Sequence, residues 1–285
     1  MLTTAAKSTA VSSYTYNDLR VRTDLTKEDP NVKRSSTAIT YQLDDVTGLK
    51  AGTYTVFVQV RKGSTGNTTV ELTNFQVGTE IEEPKICTNC TDCHDDTRMH
   101  GSYPFNPDIC KNCHDYKRTG TGYGWAGAPP TGTNGTSTSG WSGFGAKPLA
   151  SRIHGVHRGH YLEHPEDVKP LYRLVNGVPV YQPDYDFSEV IFPQDIRNCT
   201  KCHADNPMWA QEPSRLACLA CHDSDEAIFH GALMTFDLTP EDPYGGDEIE
   251  TCIICHGEHS AFSPDQVHNI SNPYKPPYPR EPAGE

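Results

Sequence analysis

The chain has 285 residues, 35% of them hydrophobic, with 23 Gly, 22 Pro and a formal net charge of −13 at pH 7. That charge argues against nucleic-acid binding, which needs clustered Lys and Arg to displace counterions, and disfavours docking on anionic membranes. No run of about 20 apolar residues exists to span a bilayer, and the apolar content is thin for the one or two domains this length implies.

The start, MLTTAAKSTAVSSYTYNDL, lacks the basic region and apolar run of a secretory leader. Up to about Pro84 the chain contains neither Cys nor His and reads as strands. In GTYTVFVQV, Tyr54, Val56, Val58 and Val60 alternate with Thr53, Thr55, Phe57 and Gln59, and STAITYQLDDV and TTVELTNFQV read alike, with Gly-containing turns between them. The expectation is a small antiparallel β domain over 1–84, a sandwich or split barrel, acting as scaffold or docking surface. A loop-rich, mostly short-helical domain is expected to follow over 85–285.

That second part opens on CTNCTDCH at 87–94. A pair of cysteines two apart and then a histidine recurs as CKNCH (110–114), CTKCH (199–203), CLACH (218–222) and CIICH (252–256). By the same rule the first motif is Cys90, Cys93 and His94, leaving Cys87 as the odd cysteine, a buried small residue or a lone thiol, with an intermolecular disulfide as its sharper role. C-x-x-C-H is the attachment pattern of c-type haem. Two thiols one turn apart form thioethers with the two vinyl groups of a porphyrin, and the adjoining imidazole becomes an axial ligand of the iron.

Three other chemistries compete. The quartets Cys90, Cys93, Cys110, Cys113 and Cys199, Cys202, Cys218, Cys221 have zinc-ribbon spacing. Zinc, however, does not require a histidine after every second cysteine, and Cys252 and Cys255 have no partner pair. A disulfide framework leaves the same histidines unexplained, and 11 cysteines do not all pair internally. A thioredoxin-like motif would occur once, not five times. The reading is therefore five covalent c-type haems, with proximal ligands His94, His114, His203, His222 and His256. Five porphyrins supply the apolar plates that the polypeptide lacks, so this part is expected to be poor in regular secondary structure. Attachment of haem c implies export, so the chain is expected to be a mature or trimmed form, at the cell surface or beyond it.

Residues 119–147, rich in Gly, Ser and Thr, are expected to be a surface loop, and the Pro-rich stretch from 271 an extended tail. Eight of the 13 histidines lie outside the motifs: His100, His154, His157, His160, His164, His230, His259 and His268. They outnumber the five second axial positions. In SRIHGVHRGHYLEH, His154, His157 and His160 stand three apart, so a helix there presents them on successive turns, within reach of two neighbouring haems. A second strong ligand at each iron favours electron transfer, whereas an open iron suits a reductase of a small oxyanion. Asp95, Asp96, Asp115 and Asp223 beside the motifs are expected to favour the oxidised iron.

FSEVIFPQDIRNCTKCH (187–203), SRLACLACH after Trp209, SRIHGVHRG (151–159) and HGSYPFNPDICKNCH (100–114) resemble the pentahaem module of the outer-surface decahaem cytochromes of the OmcA/MtrC type. The resemblance covers roughly residues 80–270. Those proteins pair a β domain with a pentahaem domain twice over, and this chain resembles one such half. The resemblance implies bis-histidine ligation, with His100, His154, His157, His230 and His268 as distal ligands. It also implies one-electron hopping from a cell-envelope conduit to metal oxides, flavins or other cytochromes. His160, His164 and His259 are then spare, for hydration, for hydrogen bonding or for donation to a neighbouring subunit in a filament.

Overall fold

The computed structural model of the chain describes residues 25–43, 45–47, 51–63, 66–79, 90–95, 98–99, 103–110, 140–143, 149–175, 178–181, 186–204, 208–238 and 248–268, with Asn272 and Lys275. Cys87, His100, Cys113, His114, the expected boundary near Pro84 and most of the tail from 271 lie outside these residues.

Strand alternation produces the most regular element. β3 (Gly52–Arg61) pairs antiparallel with β4 (Thr68–Val77) along their full length, and β1 (Val32–Arg34) pairs with β2 (Ile39–Tyr41). Tyr54 stacks on its cross-strand partner Phe75, with ring centres 5.4 Å apart. The opposite face of the hairpin carries Phe57 and Gln59 facing Leu72 and Val70. There the Tyr103 hydroxyl donates to Gln59 Oε1 at 2.6 Å. Tyr103 belongs to β6 (Tyr103–Pro104), which pairs with β5 (Arg98–Met99), and α2 (Pro107–Cys110) also meets β4. The expected sandwich or split barrel does not close among the described residues. The two pairs form separate two-stranded sheets, and the hairpin packs against α2 and β6 of the small β5–β6 ribbon.

Beyond this the elements are short. α1 (Thr91–His94), α4 (Thr200–His203), α6 (Arg215–Cys218) and α8 (Ile253–His256) are single turns at the motifs, as are α5 (Met208–Gln211) and α9 (Pro264–Val267). The longer helices are α3 (Leu149–Arg158) and α7 (Asp225–Leu233). The Ser224 hydroxyl caps α7 by accepting from the Ala227 N–H, and Asp225 and Glu226 complement the positive end of its dipole. Of the segment 119–147, expected as a loop, 119–139 and 144–147 lie outside the described residues, and the rest forms β7 (Gly140–Gly143). This strand joins β8 (Pro170–Val175) and β9 (Val178–Tyr181) in a three-stranded sheet. The ribbon β10 (Thr235–Phe236) with β11 (Ile249–Glu250) leads into α8.

α3 lies close against its surroundings because its glycines permit it. A Cβ on Gly159 would stand 1.9 Å from the Phe187 carbonyl oxygen, and one on Gly155 would press Val168 at 3.1 Å. The next turn is tied to the FSEV segment by the His160 N–H donating to Val190 O at 3.0 Å. The polypeptide core is slight. Val32, Ile109, Val168 and Leu216 are the buried apolar side chains among the described residues, while Phe229, Leu233 and Ile254 stand exposed.

Candidate functional site

The four motifs among the described residues share one backbone geometry. In each, the carbonyl of the first cysteine accepts from the motif histidine N–H at 2.9 Å: Cys90 from His94, Cys199 from His203, Cys218 from His222 and Cys252 from His256. The second cysteine's N–H reaches the same carbonyl at 3.1–3.3 Å, giving a bifurcated helical turn. Such a turn sets the two sulfurs and the imidazole on one side, about 100° of helix apart from their neighbours. After the histidine, Asp95 and Ala204 both take a positive φ, 45° and 47°, where an L side chain is strained.

Each of the four motif histidines among the described residues stands opposite a histidine from outside the motifs. Ring centres are 6.0 Å apart for His94 and His157, 6.1 Å for His203 and His154, 6.0 Å for His222 and His268, and 6.2 Å for His256 and His230. α3 therefore serves two motifs, α7 one and the end of α9 one. Phe105 stacks on His94 at 4.4 Å, and Phe192 meets His157 edge-on at 5.3 Å.

Residues 86–269 match the family model "Outer membrane cytochrome MtrC/MtrF-like, domains II/IV". The chain belongs to this family of outer membrane cytochromes. It is thus a haem-binding electron-transport protein of the cell surface, related to the OmcA/MtrC type whose motifs it carries. No curated protein and no solved structure matches it.

The backbone of this cytochrome orients the rings. His154 Nδ1 lies 2.9 Å from Ala150 O, His157 Nδ1 2.8 Å from Ile153 O, and His268 Nδ1 3.0 Å from Pro264 O. In all three the partner is the carbonyl four residues back. His256 Nδ1 lies 2.9 Å from Phe262 O. A carbonyl only accepts, so Nδ1 carries the proton and Nε2 keeps its lone pair, as a metal-binding imidazole requires. Sequence reading found the histidines but not these carbonyls. The available signal was that these distal candidates stand at least four residues beyond a helix start.

The motifs are also tied to one another. The Cys221 thiol approaches His154 O at 3.9 Å, and the Ser151 hydroxyl donates to Leu216 O at 3.0 Å, fixing α3 against the 218–222 motif. Glu250 Oε2 accepts from the Arg215 N–H at 2.7 Å and lies 3.8 Å from the Cys252 sulfur, joining the fourth motif to the fifth. Before Cys199, the Asp195 carboxylate takes a bidentate bond from Arg197, 2.8 Å from Nε and 2.6 Å from Nη2, and also accepts from the Arg197 N–H. The Arg197 hydrogen bonds hold the Asp195 carboxyl below the usual range.

Of the two quartets with zinc-ribbon spacing, the described residues include the whole of Cys199, Cys202, Cys218 and Cys221 but not Cys113 of the other. Among the described residues no three His, Cys, Asp or Glu side chains converge as a metal site. Burial pushes the Cys199 thiol up to about 11 and the Cys221 thiol up to about 12. A thioether sulfur carries no charge and meets no such penalty.

The three remaining histidines stand apart from these pairs. His160 lies 3.6 Å from Glu189, and His259 is an exposed side chain at φ 69°. His164 bridges Glu166 at 3.3 Å and Asp225 at 3.1 Å, while its N–H donates to the buried Asp223 at 2.7 Å.

Proposed function

We propose that the chain is a five-haem electron relay in which each iron lies between its motif histidine and a second histidine. The pairs are His94 with His157, His203 with His154, His222 with His268, His256 with His230, and His114 with His100. The observation that carries this reading is the 6.0–6.2 Å ring spacing of the four described pairs. Two imidazoles that held one metal ion between them would have ring centres about 6 Å apart, since a metal–nitrogen bond is about 2 Å and a ring centre lies about 1 Å further out. His114 and His100 are assigned as the motif histidine and the distal candidate that remain.

The haems supply a one-electron Fe(III)/Fe(II) couple. The residues of this chain fix both ligands: backbone carbonyls aim His154, His157, His268 and His256, and the helical turns hold the cysteines. A ligand set kept in both oxidation states lets the electron pass without bonds forming or breaking. The contacts through α3 and Glu250 support an order in which the first motif neighbours the third, the third the fourth and the fourth the fifth. The proposed task is transfer from an outer-membrane conduit to extracellular acceptors, whether metal oxides, flavins or other cytochromes.

Substitution tests the ligand pairs. His154→Ala and His157→Ala should each convert one haem, and a different one in each case, from low spin to a high-spin, cyanide-binding form, read by EPR and visible spectroscopy. His164→Ala should leave every haem low spin. Spectra of His154→Ala and His157→Ala that match the unmodified protein would overturn the assignment.

A further inference from the structure

Nearly all the net charge of this chain lies in one stretch. Between Ala204 and His268 there are thirteen acidic residues and a single basic one, Arg215, whereas residues 1–203 nearly balance. This stretch carries the fourth and fifth motifs, and the fifth, flanked in sequence by Glu248, Glu250 and Glu258, has an exposed apolar feature the other described motifs lack. The two residues inside the motif are Thr91 and Asp92, Lys111 and Asn112, and Thr200 and Lys201 in the first three. In the fourth, Leu219 is covered by α7, close enough that a Cβ on Gly231 would meet it at 2.9 Å. In the fifth they are Ile253 and Ile254, 51% and 76% exposed.

Ile254 lies away from the side of the turn that carries the motif cysteines and histidine. At 100° per residue, Cys252, Cys255 and His256 share one side of the turn, and Ile254 falls on the opposite side. The ribbon running into this turn adds Phe236 and Ile249, which face each other across β10 and β11 and are also exposed. Glu258, with a half-exposed side chain, follows two residues after His256 and is steadied by a Gln211 amide at 3.3 Å.

We propose that this face docks a basic electron-transfer protein, one whose redox centre sits in an apolar patch ringed by Lys and Arg. The proposal rests on the relay described above and names the kind of partner met at its C-terminal end. Charge selects the occupant. Two such faces repel, so a second copy of this chain does not fit, whereas a cationic rim is drawn in and oriented. An apolar centre with a charged rim suits the small, short-lived contacts of redox partners. One electron leaves this chain and reduces the partner by one, with no atom or proton transferred.

The test mixes the reduced holoprotein by stopped flow with an oxidised basic single-haem cytochrome c, with an acidic cytochrome of similar potential, and with a small neutral quinone. At low salt the basic cytochrome should react at least about tenfold faster than the acidic one, and its rate should fall steeply as salt is added. Ile254→Lys with Glu258→Lys should slow the basic cytochrome about tenfold and flatten the salt dependence. Glu71→Lys on β4 should change neither, and the quinone rate should be the same in all three proteins. Equal rates for the two cytochromes, or a salt-independent rate in the unmodified protein, overturn the docking face even if the variant misfolds. Failure of the quinone to oxidise the reduced protein would overturn the relay itself, and the docking face with it.

Discussion

The β3–β4 hairpin and the segment 186–268 show two ways in which one chain acquires structure. The hairpin is complete in polypeptide terms: ten residues face ten, the backbone groups pair, Tyr54 stacks on Phe75, and glycines Gly52, Gly63 and Gly78 occupy the positive-φ positions. The later segment is built of single turns around the motifs, leaves Phe229, Leu233 and Ile254 exposed, and places Asp95-like strain on Ala204 at φ 47°. Regular backbone pairing stabilises the first region, and in the proposed relay haem ligation supplies the order of the second.

The largest break between the two should come from removing one attachment site. Cys252→Ala with Cys255→Ala is expected to lose the fifth haem by mass and to destabilise α8, the end of α7 that carries His230 and the β10–β11 ribbon by on the order of 3–5 kcal/mol, as for deletion of a large buried apolar group. Hydrogen exchange should rise there and stay unchanged in the hairpin. Asp195→Asn acts on a smaller scale. It weakens the buried, charge-assisted bond to Arg197 that shapes the entry to Cys199, at a cost of about 1–2 kcal/mol in thermal denaturation. Because the folded Asp195 pKa is depressed, this stabilisation is present above about pH 4 and is lost as pH falls through the folded value. The Asn variant should lack that acid-side decline.

Ala204→Gly should stabilise by about 1 kcal/mol, since glycine accepts the positive φ that strains alanine. Substitution at Gly63, which uses the same φ region in the hairpin loop, should do the opposite. The smallest effect is expected at His164. The Glu166 hydrogen bond, with that of Asp225, raises its pKa, so its bridge is fully present below about pH 6.5 and fades as pH rises through the raised folded value. His164→Gln should flatten the pH dependence of exchange at the start of α7.

The motifs were legible because their spacing is short and repeated. The four described motifs fold into the same turn, and the strand alternation around Val56 and Leu72 marked the hairpin. The spacing of His154 and His157 also marked a helix facing two motifs. Other features depend on tertiary contacts that local pattern does not encode. β7 arises within a stretch whose Gly and Ser content reads as loop, because β8, paired on its other side with β9, offers it an edge. The roles of Gly155 and Gly159 follow from the nearness of Val168 and Phe187, and that of Asp195 from a buried pair with Arg197. Which histidine faces which motif is likewise set by packing. The family match over residues 86–269 places the chain among cell-surface cytochromes, and it leaves those pairings to the structure.

The central claim, five irons each held between two histidines, is tested most directly by haem quantitation together with a low-temperature EPR spectrum of the oxidised protein. The account predicts five haems per chain, all low spin, with no signal altered by cyanide or nitrite. A count other than five, or a high-spin iron that responds to added ligand, would contradict it.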